Sequence, residues 1–249
     1  MKLDGTTPVV VSGGASGLGA AVARYFMAQG IPVGVIDLNI DAAPDGALCA
    51  QADTSQADQV SAALSRLREG QGQERLCVNC AGIAPSAKTV SRGAAHDPAL
   101  FAKVINVNLI GTFNVASQSA LGMATLDPLE DGERGVIINT ASIAAYEGQM
   151  GQIAYAASKG GVAAMTLPMA RDMAKLGVRI MAIAPGVFLT PMVSTMPQEV
   201  QDALAGISEF PKRLGHPQEF ARLVETIATN TMLNGEVIRL DAGTRMQAK

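Results

Sequence analysis

The sequence predicts one doubly wound α/β domain, a parallel sheet of about seven strands with helices on both faces, filling residues 1–249. Three observations carry this reading. Strand-length apolar runs alternate with segments of helical period, as in βαβ units. The runs are apolar throughout rather than alternating, which marks strands buried on both faces. No Pro/Gly/Ser linker and no internal repeat divides the chain. The composition is 48% hydrophobic and 16% charged, a balance that excludes a disordered chain and supports one sizeable core.

In chain order, Val9–Val11 is the first strand, followed by a glycine cluster and a helix over Ala20–Gln29 that stops at Gly30. Val33–Ile36 is the second strand and ends in Asp37. Ala47–Ala52 is a weaker strand ending in Asp53, and Gln56–Arg68 is an amphipathic helix. Leu76–Val78, Val136–Ile138, Val178–Ile183 and Val237–Leu240 complete the seven, with long helices over Pro98–Met123 and Ile153–Leu176. Two segments break the alternation. Pro85–Pro98 is a polar loop carrying Lys88 and Arg92. Residues 187–215 carry Phe188, Leu189, Met192, Met196 and Phe210 among several prolines, and read as a substrate lid.

Composition also sets aside several functions. A net charge of −3 leaves no basic excess for a nucleic-acid backbone. No uninterrupted apolar run reaches the roughly 18 residues of a membrane helix, since Arg171, Arg179 and Pro185 interrupt the best candidates. Lys2 is followed by Asp4 and a turn, not by a secretion signal. Three cysteines do not make a disulfide scaffold. Cys77 and Cys80 form a C-x-x-C, but with His96 and His216 in unrelated segments they read as small core residues, and no metal is expected. The same two histidines leave no Ser–His–Asp set.

The residues from Ser12 to Gly19, S-G-G-A-S-G-L-G, join the first strand to the first helix. Gly13, Gly17 and Gly19 let the chain turn sharply and let N–H groups around Ser16 and Leu18 approach a pyrophosphate. The spacing is G-x-x-x-G-x-G, unlike the G-x-G-x-x-G of the ordinary dinucleotide fingerprint. Asp37 stands 18 residues beyond Gly19 at a strand end, where a carboxylate accepts both hydroxyls of an adenosine ribose and repels a 2′-phosphate. No Arg or Lys occupies Ser16 or Leu38, so NAD is expected over NADP. Asp53 either accepts from the adenine amino group or caps the helix starting near Gln56.

Tyr155 and Lys159 are four apart in an Ala-rich stretch and share a helix face, and Ser142 closes a strand thirteen residues before the tyrosine. A phenol works as general base near neutral pH only beside cations, here Lys159 and an oxidised nicotinamide. Ser142 would hold the substrate oxygen, and Asn108 could tie a water to Lys159.

These motifs together, with N-C-A-G (Asn79–Gly82), V-N-L-I-G (Val107–Gly111), Y-A-A-S-K (Tyr155–Lys159) and P-G (Pro185–Gly186), resemble the short-chain dehydrogenases/reductases in order and spacing. The resemblance spans nearly the whole chain and implies a Rossmann-type fold with Asn108, Ser142, Tyr155 and Lys159 as catalytic tetrad. It departs from the family at Ser12, usually threonine, and at Cys80, which replaces the second asparagine of N-N-A-G. The segments N-C-A-G-I-A, R-G-V-I-I-N-T-A-S, T-L-P-M-A-R-D and L-N-G-E-V-I-R-L-D look, more narrowly, like the type-2 3-hydroxyacyl-CoA dehydrogenases, also known as type-10 17β-hydroxysteroid dehydrogenases. That likeness implies an NAD-dependent homotetramer oxidising (S)-3-hydroxyacyl-CoA. It implies NAD contacts at Ser16, Leu18, Asp37, Asp53, Thr54, Cys80, Tyr155, Lys159, Phe188 and Thr190, with Ala81, Gly82 and Pro185 from the shared motifs, and a substrate contact at Ser142. Gln149 and Gln152 are added as candidates near the thioester; solvated glutamines at a helix start are the alternative.

The leading expectation is therefore a cytoplasmic, reversible 3-hydroxyacyl-CoA dehydrogenase using Tyr155 as base. A broad secondary-alcohol or hydroxysteroid dehydrogenase is the enzymatic alternative. A 3-oxoacyl-carrier-protein reductase fits less well, because those carry basic residues where Ser16 and Leu38 stand. A non-catalytic NAD-binding scaffold is the alternative from another class. No nucleic acid or membrane is expected as a partner.

Overall fold

The computed structural model describes residues 1–248. Seven parallel strands form one sheet: β1 (Val9–Ser12), β2 (Val33–Asp37), β3 (Leu48–Gln51), β4 (Leu76–Asn79), β7 (Gly135–Thr140), β8 (Val178–Pro185) and β9 (Val237–Leu240), in the order β3-β2-β1-β4-β7-β8-β9. The chain winds from β1 out to β3, then returns to β1's other side at β4. That reversal opens a crevice at the C-terminal strand ends, the place where such sheets bind ligands.

Fully apolar strands are explained by the two layers that cover them. Val9 and Val11 face helices α1 (Gly17–Met27) and α9 (Pro217–Thr229), packing with Val22, Phe26, Phe220 and Val224. Val10, between them, faces the opposite layer of α2 (Ala57–Gln71), α4 (Gly111–Met123) and α6 (Ile153–Met173), with Leu64, Val115 and Met123. Each strand thus buries both sets of side chains, each large one contributing roughly 1.5–3 kcal/mol. The weak third strand is the sheet edge, which explains its partly exposed Leu48 and Cys49.

Some expectations change. The segment 98–123 is not one regular helix: α3 (Pro98–Ile105) passes through a π-helical turn over Asn106–Ile110 into α4. By length and composition this compound helix could cross a membrane. Uninterrupted runs hide that, because Asn106, Asn108 and Asn114 break them while the average stays apolar. In the fold it packs on the sheet, burying Val104, Val115, Ala116 and Met123. The loop over residues 85–98 is not wholly irregular. It holds an antiparallel hairpin, β5 (Val90–Ser91) with β6 (Ala94–Ala95), turned by Arg92 and Gly93 at φ 51° and 78°, the paired left-handed geometry of tight hairpins. The lid contains two helices, α7 (Pro191–Ser194) and α8 (Gln198–Gly206), and α5 (Ala144–Glu147) interrupts the path from Ser142 to α6.

Candidate active site

The glycine turn between β1 and α1 is shaped by close approach. Gly13 lies at φ +68°, and a Cβ there would stand 2.5 Å from the amide nitrogen of Ala81, while one on Gly19 would strike the carbonyl of Gly13. Hence Gly13, Ala81 and Gly82 form one surface, joined by the Cys80 N–H donating to the Ser12 carbonyl at 2.8 Å. Ser16 is the exposed N-cap of α1, its hydroxyl caps nothing, and no acidic side chain lies in the helix's first turn. An anion is favoured at such a helix start. Leu18 packs inward against the core beneath.

Asp37 is the last residue of β2. Its carboxylate accepts from the Ala15 N–H at 3.0 Å and from the Asn39 N–H at 3.3 Å, so it is fixed beside the glycine turn. Leu38, next to it, is 65% exposed and brings no cation. Asp53 accepts from the Ser55 N–H at 2.9 Å and so closes a turn; the N-cap of α2 is Gln56, which settles the capping alternative against Asp53. Thr54 is buried, its carbonyl accepting from the Asn114 amide at 3.0 Å. Pro185 ends β8. The Phe188 residue is 6% exposed, and its ring meets Phe220 edge-on at 6.4 Å, which anchors the start of the lid in the core. Thr190 overhangs Gly17, its methyl 3.8 Å from where a Cβ there would be. These residues fit a dinucleotide: a helix N-terminus with a free hydroxyl for phosphate, and a carboxylate a strand's width away for the ribose.

Ser142 and Tyr155 face each other across the crevice mouth. Ser142 follows β7 by two residues, is buried, and its oxygen accepts from the Ala144 N–H at 3.1 Å. Tyr155 lies in the first turn of α6, and Lys159 one turn on is 4% exposed. The ammonium donates to the carbonyl of Thr140 at 2.7 Å and sits 5.9 Å from the Tyr155 ring centroid. Burial drives Lys159 down to about 8, with Cys80 pulling weakly upward. Burial also pushes the Tyr155 phenol up, and the Ser142 hydroxyl pulls the other way. The lowering expected from Lys159 is not seen: burial of the phenol is the largest cause, and it raises the value.

Asn108 is fully buried in the π-helical turn, and its side chain is spent on structure. Its oxygen accepts from the Ile83 N–H at 2.8 Å, and its amide donates to the Ile83 carbonyl at 2.9 Å and to the Ser158 hydroxyl at 3.0 Å. Both amide hydrogens are used, while Oδ1 keeps a second lone pair and the backbone carbonyl accepts from the Thr112 hydroxyl at 2.7 Å. The amide also holds Gly82 over Lys159, where a Cβ would lie 3.7 Å from the ammonium.

Gln149 and Gln152 are likewise engaged. The Gln152 oxygen accepts from the Gln149 N–H at 3.0 Å, and the Gln149 amide donates to the Gln247 carbonyl at 3.1 Å. Lys88 and Arg92 are exposed on the hairpin segment. Burial holds the Cys77 thiol at about 12 and that of Cys80 at about 11, so both stay neutral; Thr140 donates to Cys80 sulfur at 3.5 Å. Sequence reasoning missed Thr140, which acts through its backbone, and Ser158. The latter was detectable as a polar residue on the buried face of α6, one turn from Tyr155; its hydroxyl bridges Asn108 to the Tyr155 carbonyl at 2.7 Å.

Residues 7–201 match the sequence profile of the short chain dehydrogenases. The chain belongs to the short-chain dehydrogenase family. Within it, the chain is 51% identical to 3-hydroxyacyl-CoA dehydrogenase type-2 of Bos taurus over 247 residues, covering 96% of this chain and 95% of that protein. It is 48% identical to the Homo sapiens protein of the same name, over the same shares. The crystal structure of 3-hydroxyacyl-CoA dehydrogenase type-2 from Mycobacterium avium superposes with a TM-score of 0.93 at 38% identity, covering all of both chains. As a short-chain dehydrogenase the protein is an oxidoreductase, and the family's cofactor is a nicotinamide dinucleotide.

Proposed function

We propose that the protein is an NAD-dependent dehydrogenase that reversibly oxidises (S)-3-hydroxyacyl-CoA to 3-oxoacyl-CoA. The observation that carries this reading is the Ser142–Tyr155–Lys159 cluster, its serine and lysine buried and its tyrosine half-buried, in a chain about half identical, end to end, to proteins bearing that name. NAD is favoured over NADP because Asp37 is held at the ribose end with exposed, uncharged Leu38 beside it.

When bound, the nicotinamide supplies the acceptor for the hydride. The chain's own residues handle the proton and the geometry. Ser142 orients the substrate hydroxyl, its oxygen already fixed by the Ala144 N–H. The Tyr155 oxygen takes the hydroxyl proton, and Lys159 supplies nearby positive charge that stabilises the phenolate. Lys159 is aimed by the Thr140 carbonyl, and Asn108 holds the floor of the cleft. Gln149 and Gln152 line the approach, and the hairpin bearing Lys88 and Arg92 receives the CoA phosphates. The apolar lid, with Leu189 37% exposed, favours a second reading as a broad secondary-alcohol or hydroxysteroid dehydrogenase.

The assembly proposed is a homotetramer. Ile110 at the end of the π-helical turn, Phe113 at the start of α4, and Ile153 and Leu167 on α6 are 41–48% exposed, an apolar surface that a second copy would cover. A reducing, cytoplasmic compartment suits the three free thiols. The deciding experiment is NAD reduction measured in parallel with 3-hydroxyacyl-CoA esters, secondary alcohols and hydroxysteroids. Turnover confined to alcohols or steroids overturns the acyl-CoA reading, and no turnover with any class overturns catalysis.

A further inference from the structure

Arg239, in β9, uses its guanidinium almost completely. Its Nε donates to Asp241 Oδ2 at 2.7 Å, and its two terminal nitrogens donate to the Glu147 carboxylate at 2.8 and 3.2 Å. One of them also donates to the Thr244 carbonyl at 2.9 Å, and the group lies 5.6 Å from the Tyr146 ring centroid. Glu147 closes α5, the short helix between Ser142 and Tyr155. A planar guanidinium is the one side chain able to hold two carboxylates and a carbonyl in fixed directions.

The residues after Arg239 run as a strap between the two walls of the cleft. On the lid side, the Ala242 carbonyl accepts from the N–H groups of Glu209 and Phe210 at 3.0 and 3.2 Å. Ala242 sits at φ 52°, a conformation an alanine holds only under constraint. Thr244 is 1% exposed and meets Ser208. Where the lid begins, the Gly186 N–H donates to the Leu240 carbonyl at 2.9 Å, and a Cβ on Gly186 would lie 3.0 Å from Asp241. On the catalytic side, the Met246 N–H donates to Glu147 at 3.0 Å, the Gln247 carbonyl takes the Gln149 amide, and the Ala248 carbonyl accepts from the Met150 N–H at 3.0 Å.

We propose that Arg239 is a positioning residue: by clamping Glu147 and Asp241 it couples both ends of the lid to the segment between Ser142 and Tyr155, so the two walls that contact the organic substrate move as one. The glycine turn and Asp37 are built on β1 and β2, outside this coupling, and the lid meets them at Thr190 over Gly17. The kinetic part rests on the dehydrogenase reading above; the structural part does not.

The test uses Glu147→Gln, Arg239→Lys and a chain ending after Thr244, which spares Arg239 and the lid contacts but removes Arg245 from Glu147 and Asp241, the Met246 N–H from Glu147, and the strap from residues 149–150. Amide exchange is followed in the cofactor-free protein, and kinetics with both substrates. Weakening the clamp by Glu147→Gln, on the catalytic side, should speed exchange at Glu209 and Phe210, on the lid side, by about tenfold, the size of one charge-assisted bond. It should raise KM for the organic substrate by a similar factor, with a smaller change in KM for NAD; Arg239→Lys should fall between it and wild type. The shortened chain should free the Met150 amide and raise the organic-substrate KM more than that for NAD. If Glu147→Gln frees Met150 and Met246 but leaves Glu209 and Phe210 protected, the coupling is wrong. If either KM for NAD rises equally or exchange speeds throughout the sheet, Arg239 is merely structural. Absence of acyl-CoA turnover in the wild type would overturn the functional reading alone, since amide exchange reads the coupling without substrate.

Discussion

Lys159 donates its ammonium to the carbonyl of Thr140 at 2.7 Å, tying the catalytic helix α6 to the last residue of β7. The bond aims the charge toward Tyr155 and compensates part of the cost of burying it.

That burial makes Lys159 a titrating group with a measurable sign. Its folded value of about 8 lies below the ordinary 10.5, so between those values the unfolded chain binds a proton that the folded chain does not. Stability from this group therefore rises with pH through the window and is lower below about pH 8. Relative to Lys159→Met, the wild type should gain about 2 kcal/mol between pH 8 and pH 10. Urea denaturation of both proteins at the two pH values checks this, and parallel curves would contradict it. Separately, Lys159→Ala should move the pH–rate profile of alcohol oxidation upward, because the phenolate loses its cation.

Tyr155→Phe should lose turnover by about 10²–10⁴-fold while still binding NADH. Single-turnover kinetics and fluorescence titration check the two halves separately. Retention of more than about a tenth of the wild-type kcat would remove the phenol from its role as base.

Asp37→Ala should cost about ten- to a hundredfold in kcat/KM with NAD, the loss of one charged hydrogen bond. NADP should improve weakly, and adding Leu38→Arg should invert the preference by supplying a phosphate partner. A wild type that already uses both cofactors equally contradicts the assignment of Asp37 to the ribose.

Replacing Lys88 and Arg92 together by alanine should raise KM for a CoA ester and leave that for a small alcohol unchanged. Both side chains are exposed, so the fold should tolerate the change. Equal effects on the two substrates would dismiss the hairpin as a phosphate site.

Phe113→Asp should shift the assembly to smaller species, because it plants a charge in the exposed apolar face of α4. Light scattering after size exclusion measures the mass. A wild type that is already monomeric would retire the tetramer.

Much of the fold was legible because buried parallel strands write themselves as continuous apolar runs, and Val9–Ser12 or Val178–Pro185 need no partner to be recognised. The placement of Asp37 at a strand end and of Tyr155 and Lys159 one turn apart in a helix was legible for a similar reason: it lies in short spacing along one element. Asn108 shows where that stops. Its residue type suggested a water tied to Lys159, but nothing local announced that its side chain also pairs with the backbone of Ile83, 25 residues away in sequence. The Glu147–Arg239 pair spans 92 residues; neither residue carries a local pattern, and only the sheet order brings β9 beside α5. The hairpin over residues 90–95 was hidden because its strands are two residues long and wholly exposed, leaving no apolar periodicity to read.

The π-helical turn over Asn106–Ile110 sets which way the rest of the helix faces. Wound as regular α-helix with no residue removed, the same five residues would turn everything beyond them to a new direction. Val115, Ala116 and Ala120 would leave the sheet, Phe113 would leave its outward face, and Asn108 would no longer meet Ile83. A change that rewound this turn could therefore not be judged one side chain at a time: the core, the cleft floor and the outer face would shift in a single step.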